Sequence, residues 1–157
     1  MNSGIRSGIV AGLVAGVAFG LAMQVMSAPA PDGGSIPMIV MVAMVVRSQS
    51  LVVGWLYHLF NSAVIGAIFG WFVGNRLQSY AASLVWGALY GVAWWILGGL
   101  VLMPLLLGMS AFAPVATADM QSVAIGSLVG HIMYGLILGV GYVWLEGRRG
   151  VQARGQG

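Results

Sequence analysis

The sequence predicts an all-α membrane protein, with four transmembrane helices forming two pseudo-symmetric helical hairpins in an antiparallel bundle. Three observations carry this expectation. Of 157 residues, 60% are hydrophobic and only 6% are charged. Soluble domains carry roughly 25% charged residues, so the apolar excess here has to face lipid. Four apolar stretches each reach the about 20 residues that a helix needs to cross the hydrocarbon layer. The second pair of stretches also repeats the first.

The stretches run from about Gly8 to Ser27, Leu51 to Gly74, Ala82 to Leu107 and Val123 to Leu145. They are apolar all round, which fits helices and not the alternating strands of a barrel. The Arg6, apolar run and Ala28-Pro29-Ala30 of the first resemble a cleaved leader. Its apolar run exceeds the roughly 7–15 residues of such leaders, and it has a counterpart later in the chain, so it is expected to be retained. Between the first two spans, Pro37 precedes the short apolar run Met38 to Val46. That run is too short to span. It reads as an interfacial or re-entrant helix, or an outward extension of the second span, and as a contact surface for another subunit if exposed.

Shifting the second stretch by 73 places His58 on His131, Gly66 on Gly139, Trp71 on Trp144 and Arg76 on Arg149. Shifting the first by 75 places Gly12 on Gly87, Gly16 on Gly91 and Pro29 on Pro104. The chain is thus one transmembrane domain over 1–157, with repeat 1 about 8–76 and repeat 2 about 82–149. Residues 150–157 read as a flexible cytoplasmic tail. Each unit crosses twice, so both enter the membrane in one direction, related by a pseudo-two-fold along the membrane normal.

Arg6, Arg76, Arg148, Arg149 and Arg154 fall on one side; Arg47, Asp32 and Asp119 fall on the other. The positive-inside rule then puts both termini in the cytoplasm of a bacterial inner membrane. The absence of cysteine excludes thiolate and disulfide chemistry. A net charge of +3 gives no basis for nucleic-acid binding. No paired carboxylate, Ser-His-acid set or phosphate loop is present, so no enzyme is expected. The expected partners are the bilayer and other membrane subunits or a second copy.

Small residues recur every fourth position: Gly8, Gly12, Gly16 and Gly20 in the first span, Gly66 and Gly70 in the second, Gly87 and Gly91 in the third. Helices in lipid associate by close backbone approach, and small residues permit it. These glycines are expected to pack helices as a glycine zipper.

His58 and His131 are the only histidines. Both lie roughly 12 Å inside the outer end of their spans, at 1.5 Å per residue. An ionisable side chain at that depth marks a candidate site. Three readings stay open. The imidazoles act as neutral hydrogen-bonding groups, paired with a backbone carbonyl, with Tyr57, Asn61 or Tyr134, or with each other, in an accessory or anchoring subunit. Alternatively they are the axial ligands of a b-type haem, with Ser62, Gly66, Gly135 and Gly139 lining the ring. Or they titrate or bind a metal in a small proton, ion or metal transporter or channel. Every methionine but Met1 lies in the outer half, and Met38, Met41 and Met44 share one helix face. Thioethers favour Cu(I), although methionine is also an ordinary apolar filler.

The His58-x-x-x-Ser62 start of the second span, Gly87-Ala88-Leu89, Pro104, Gly130-His131 and Arg148-Arg149 together resemble the YagU-like small inner-membrane proteins. The resemblance covers Trp55 to Arg149, and the first outer loop is shorter here. It implies a multi-pass inner-membrane protein and adds weight to the topology and the histidine positions. It leaves the chemistry of the pair open.

Overall fold

In the computed structural model of the chain, residues 3–30, 33–74, 77 and 79–154 are described. Asp32 and Arg76, used above for orientation, lie outside them. Four helical segments are long and apolar enough to cross a membrane: Ser3–Val25, Leu51–Phe72, Tyr80–Leu106 and Ala118–Arg148. They fit a multi-pass membrane protein. Lipid offers no partner to backbone N–H and C=O groups, so an apolar segment of this length closes its own hydrogen bonds as a helix.

The elements in order are α1 (Ser3–Val25), β1 (Ser27–Pro29), β2 (Ser35–Pro37), α2 (Met38–Met44), α3 (Leu51–Phe72) and α4 (Tyr80–Trp94), followed by a π-helical segment (Trp95–Leu102), α5 (Met103–Leu106), α6 (Ala113–Ala116), a 3-10 turn (Ala118–Met120) and α7 (Gln121–Arg154). The helix α7 carries on to Arg154, so residues 150–154, expected as a tail, continue it. Apolar character ends near Leu145, but nothing there breaks the backbone ladder. Helix ends are set by caps and breakers, which hydropathy does not read.

The helix α1 packs against both α3 and α7, and α4 packs against α7. Two neighbouring stripes of small residues on α1 explain its two partners. Gly4, Gly8, Gly12 and Gly16 meet α3. Ser7, Ala11 and Ala15 are buried on an adjacent line, where Ala11 meets Gly141 of α7 and Ser7 Oγ donates to Glu146 Oε1 at 2.5 Å. A Cβ at Gly66 would overlap the Gly8 carbonyl, and one at Gly12 the Ser62 carbonyl. In the second pair, a Cβ at Gly139 would overlap the Ser83 carbonyl, and one at Gly87 the Gly135 carbonyl. Gly91 sits on the His131 carbonyl, Gly70 on that of Gly4, and Gly20 on the Trp55 indole.

The third span is not one regular helix. Its middle widens into the π-helical segment, and Pro104 follows in the first turn of α5. Proline has no N–H to give the turn before it. The Leu100 carbonyl instead accepts from Phe112 N at 2.7 Å, which ties the following loop beneath the end of the span.

The outer loop of the first half forms a small lid. Strands β1 and β2 pair antiparallel, with Ala28 opposite Ile36, and Met38 N donates to the Met26 carbonyl at 2.8 Å. The apolar run beginning at Met38 is therefore folded inward. Met38, Ile39, Val40, Met41 and Ala43 are buried, so the exposure on which a contact surface depended is not met there. Gly54 makes the inward seat possible, because any Cβ there would strike the Ile39 carbonyl.

Candidate functional site

Between α3 and the third span lies a cavity of about 300 Å³. Its floor and walls are Phe19, Met23, Met38 and Met41, with Tyr57, His58, Asn61 and Ser62 from α3, Trp94, Trp95, Gly98 and Gly99 from the third span, and Ser127, His131 and Tyr134 from α7. Val64, Leu102 and Leu106 also line it. These three are exposed apolar residues of the spans, so the mouth of the cavity looks sideways at lipid. The widened π-helical turn supplies Gly98 and Gly99, and a Cβ at Gly98 would find only Trp94, at 3.9 Å.

Both histidines reach this cavity, and each is held by a backbone carbonyl. His58 Nε2 lies 2.8 Å from the Gly16 carbonyl oxygen. His131 Nδ1 lies 2.7 Å from the Ser127 carbonyl oxygen, with Ser127 Oγ at 3.3 Å. A carbonyl only accepts, so the nitrogen facing it carries the hydrogen. The uncharged imidazole has one N–H, which leaves its other nitrogen as a bare acceptor. Those bare atoms are Nδ1 of His58 and Nε2 of His131. Among the described residues no sealed-in side-chain nitrogen or oxygen lacks a hydrogen-bond partner, so neither bare nitrogen is fully enclosed.

Tyr57 and Asn61 bring a hydroxyl and an amide to the wall, while other polar groups in and near it are committed to the backbone. Tyr134 donates to the Ser62 carbonyl at 2.8 Å, Ser62 to the His58 carbonyl at 2.8 Å, and Tyr90 to the Ile65 carbonyl at 2.7 Å. The two tyrosine bonds cross-link helices where water cannot compete, whereas the Ser62 bond closes within α3. Phe19 packs edge-on against both imidazoles, with ring centroids 5.6 Å from His58 and 4.9 Å from His131. It also presses on Gly130, whose Cβ would fall within its ring.

Several sequence expectations separate here. His58, His131 and Ser62 line one cavity. Gly66, Gly135 and Gly139, expected beside a bound ring, are instead spent on backbone contacts between helices. No group of three or more His, Cys, Asp or Glu side chains suited to a metal occurs among the described residues. Met38 and Met41 line the cavity, as do Met103, Met109 and Met120. Phe19, Trp94, Trp95, Gly98, Gly99 and Ser127 were missed by sequence reasoning. The consecutive Trp94-Trp95 and Gly98-Gly99 pairs were the available signal, since polar-edged aromatics beside glycines inside a span mark a break in regular packing.

Compared with known proteins, the chain matches no family model, no curated protein and no solved structure.

Proposed function

We propose that this chain is a non-catalytic accessory protein of the bacterial inner membrane that holds a small lipid-soluble molecule in the cavity between its second and third spans. The carrying observation is that both intramembrane histidines open onto one apolar cavity whose rim faces lipid. Ligand sites are concave and mostly apolar, with a few placed polar groups, and about 300 Å³ is the lower end of their usual size. The rest of the architecture belongs to the same reading: both termini cytoplasmic, two hairpins related by a pseudo-two-fold, and glycine stripes that join helices. The matched contacts Gly12–Ser62 with Gly87–Gly135, and Gly8–Gly66 with Ser83–Gly139, support the duplication. Partner subunits or a second copy would meet the exposed outer faces of the spans.

The geometry favours this over a haem. His58 Nε2 is engaged by a carbonyl, Phe19 occupies the space beside both rings, and three of the four expected lining residues are buried in helix contacts. The test is native mass spectrometry of protein extracted in mild detergent, beside the Gly98→Phe variant, which fills the cavity from a position with room for a side chain. The wild type is expected to carry an apolar small molecule that the variant lacks. Identical spectra for the two, or a Soret band in the purified protein that vanishes in His131→Ala, would sink the reading.

A further inference from the structure

We propose that a shallow groove on the outside of the bundle, separate from the histidine cavity, seats one anionic phospholipid, with an acyl chain along α4 and α7 and the phosphate on Arg148. The groove has a volume of about 480 Å³ and runs between Tyr80 and Leu84 at the start of α4 and Leu136, Ile137, Val140 and Trp144 of α7. Its wall is almost wholly apolar. Tyr80, Leu84, Val140 and Trp144 are exposed, so the groove is open along its length to whatever lies beside the bundle.

Length and charge name the occupant. Leu136, Val140 and Trp144 stand four residues apart on one line of α7. From the first to the last the helix rises roughly 12 Å at 1.5 Å per residue. One leaflet is roughly 15 Å deep, half of an about 30 Å hydrocarbon layer. The groove is thus about as long as the apolar part of a single leaflet. Arg148 is the next position on the same line, one turn beyond the indole at which the apolar wall ends. Its guanidinium carbon stands over the Trp144 ring, 4.0 Å from the centroid. A guanidinium laid on a ring face keeps its N–H edge free, and that edge fits phosphate oxygens in pairs. Glu146, the acidic residue nearest Arg148 in sequence, accepts from Ser7 on the flank that meets α1, and positions two apart on a helix do not face each other. A zwitterionic headgroup would bring its own ammonium towards this cation, whereas an anionic one brings only its phosphate. A second copy packed here in parallel would set one Arg148 against another.

The experiment titrates phosphatidylglycerol, or phosphatidylcholine of the same chains, into the full chain in an uncharged detergent and counts bound lipids by native mass spectrometry. The wild type is expected to take its first phosphatidylglycerol about fivefold more tightly than its first phosphatidylcholine, the weight of one arginine beside an anionic headgroup. Arg148→Gln is expected to lose that preference and Arg148→Lys to keep part of it. Arg47→Gln, which removes the same charge at the other end of the bundle, is expected to keep it whole. Val140→Trp, which fills the groove from an exposed position, is expected to weaken binding of the first lipid of either kind several-fold. Its folding is checked by its melting transition, and Leu84→Trp, from the opposite wall, takes its place should it not fold. A preference that persists in Arg148→Gln, an equal loss in Arg47→Gln, or unweakened binding in a folded groove variant overturns the inference. So does competition by chainless glycerol phosphate at the lipid's own concentration, which would make the site one for a soluble anion. Self-association that Val140→Trp abolishes while lipid binding stays unchanged would give the groove to a second copy instead.

Discussion

Gly66 has no side chain because the Gly8 carbonyl occupies the place a Cβ would take. Gly147, in the last third of α7, has nothing within 4 Å. The two positions therefore make opposite predictions from one residue type. Gly66→Leu must push α1 and α3 apart and is expected to cost about 1–3 kcal/mol, the usual penalty of overpacking. Gly147→Ala removes backbone freedom at an open helical site and is expected to gain about 0.5–1 kcal/mol. Thermal unfolding in detergent, followed by circular dichroism, reads both. A drop for Gly147→Ala as large as that for Gly66→Leu would refute the contact assignment. The glycine stripes could be read from the sequence because four-residue spacing is a local pattern. The Ser7-Ala11-Ala15 stripe has the same spacing but hides among ordinary helix residues. The histidine positions were legible too. Their tautomers were not, since these depend on carbonyls brought in by folding: Gly16, 42 positions away in sequence, for His58.

Short elements show where local pattern runs out. The length of the apolar runs marked four spans and placed most of their ends within a few residues, α7 running on past Leu145 to Arg154. It could not see that Trp95–Leu102 turns as a π-helix, because an apolar run has no polar face against which to measure period. It also left the Met38 run undecided, because burial there depends on the seat that Gly54 opens on another helix. The end of α2 yields a separate prediction. Arg47 adopts φ 58° while Ser48 N reaches back to the Ala43 carbonyl at 3.1 Å. This is the left-handed closure that glycine usually takes, as Gly108 does after α5 at φ 78°. A side chain in that region costs about 1–2 kcal/mol. Arg47→Gly is expected to recover about 1 kcal/mol of that, seen as a higher midpoint of thermal unfolding. An unchanged or lowered midpoint would mean that the arginine side chain is worth more to the lid than its backbone strain costs.

At the scale of the whole molecule, a native chain without cysteine makes topology directly measurable. Single substitutions Ser48→Cys and Ser110→Cys lie in the two loops proposed to face the periplasm, and Ser3→Cys lies at the end proposed to be cytoplasmic. In intact spheroplasts a membrane-impermeant maleimide is expected to label the first two and to spare the third until the membrane is broken. Labelling of position 3 from outside would invert the orientation drawn from the arginines. The membrane environment followed from composition, since so few charges cannot clothe a soluble surface, and the four candidate spans followed from the length of the apolar runs. Which helices touch could not be read that way, because lipid-facing and protein-facing surfaces are equally apolar.

The two-sided packing of α1 has a consequence for biogenesis. Of the four spans described, α1 emerges before the others, and its final neighbours include α7, which emerges after them. Until α7 is inserted, the face carrying Ser7, Ala11 and Ala15 has only acyl chains to meet, and the Ser7 hydroxyl waits for Glu146. A nascent chain halted after α3 is thus complete on one flank of α1 and unfinished on the other.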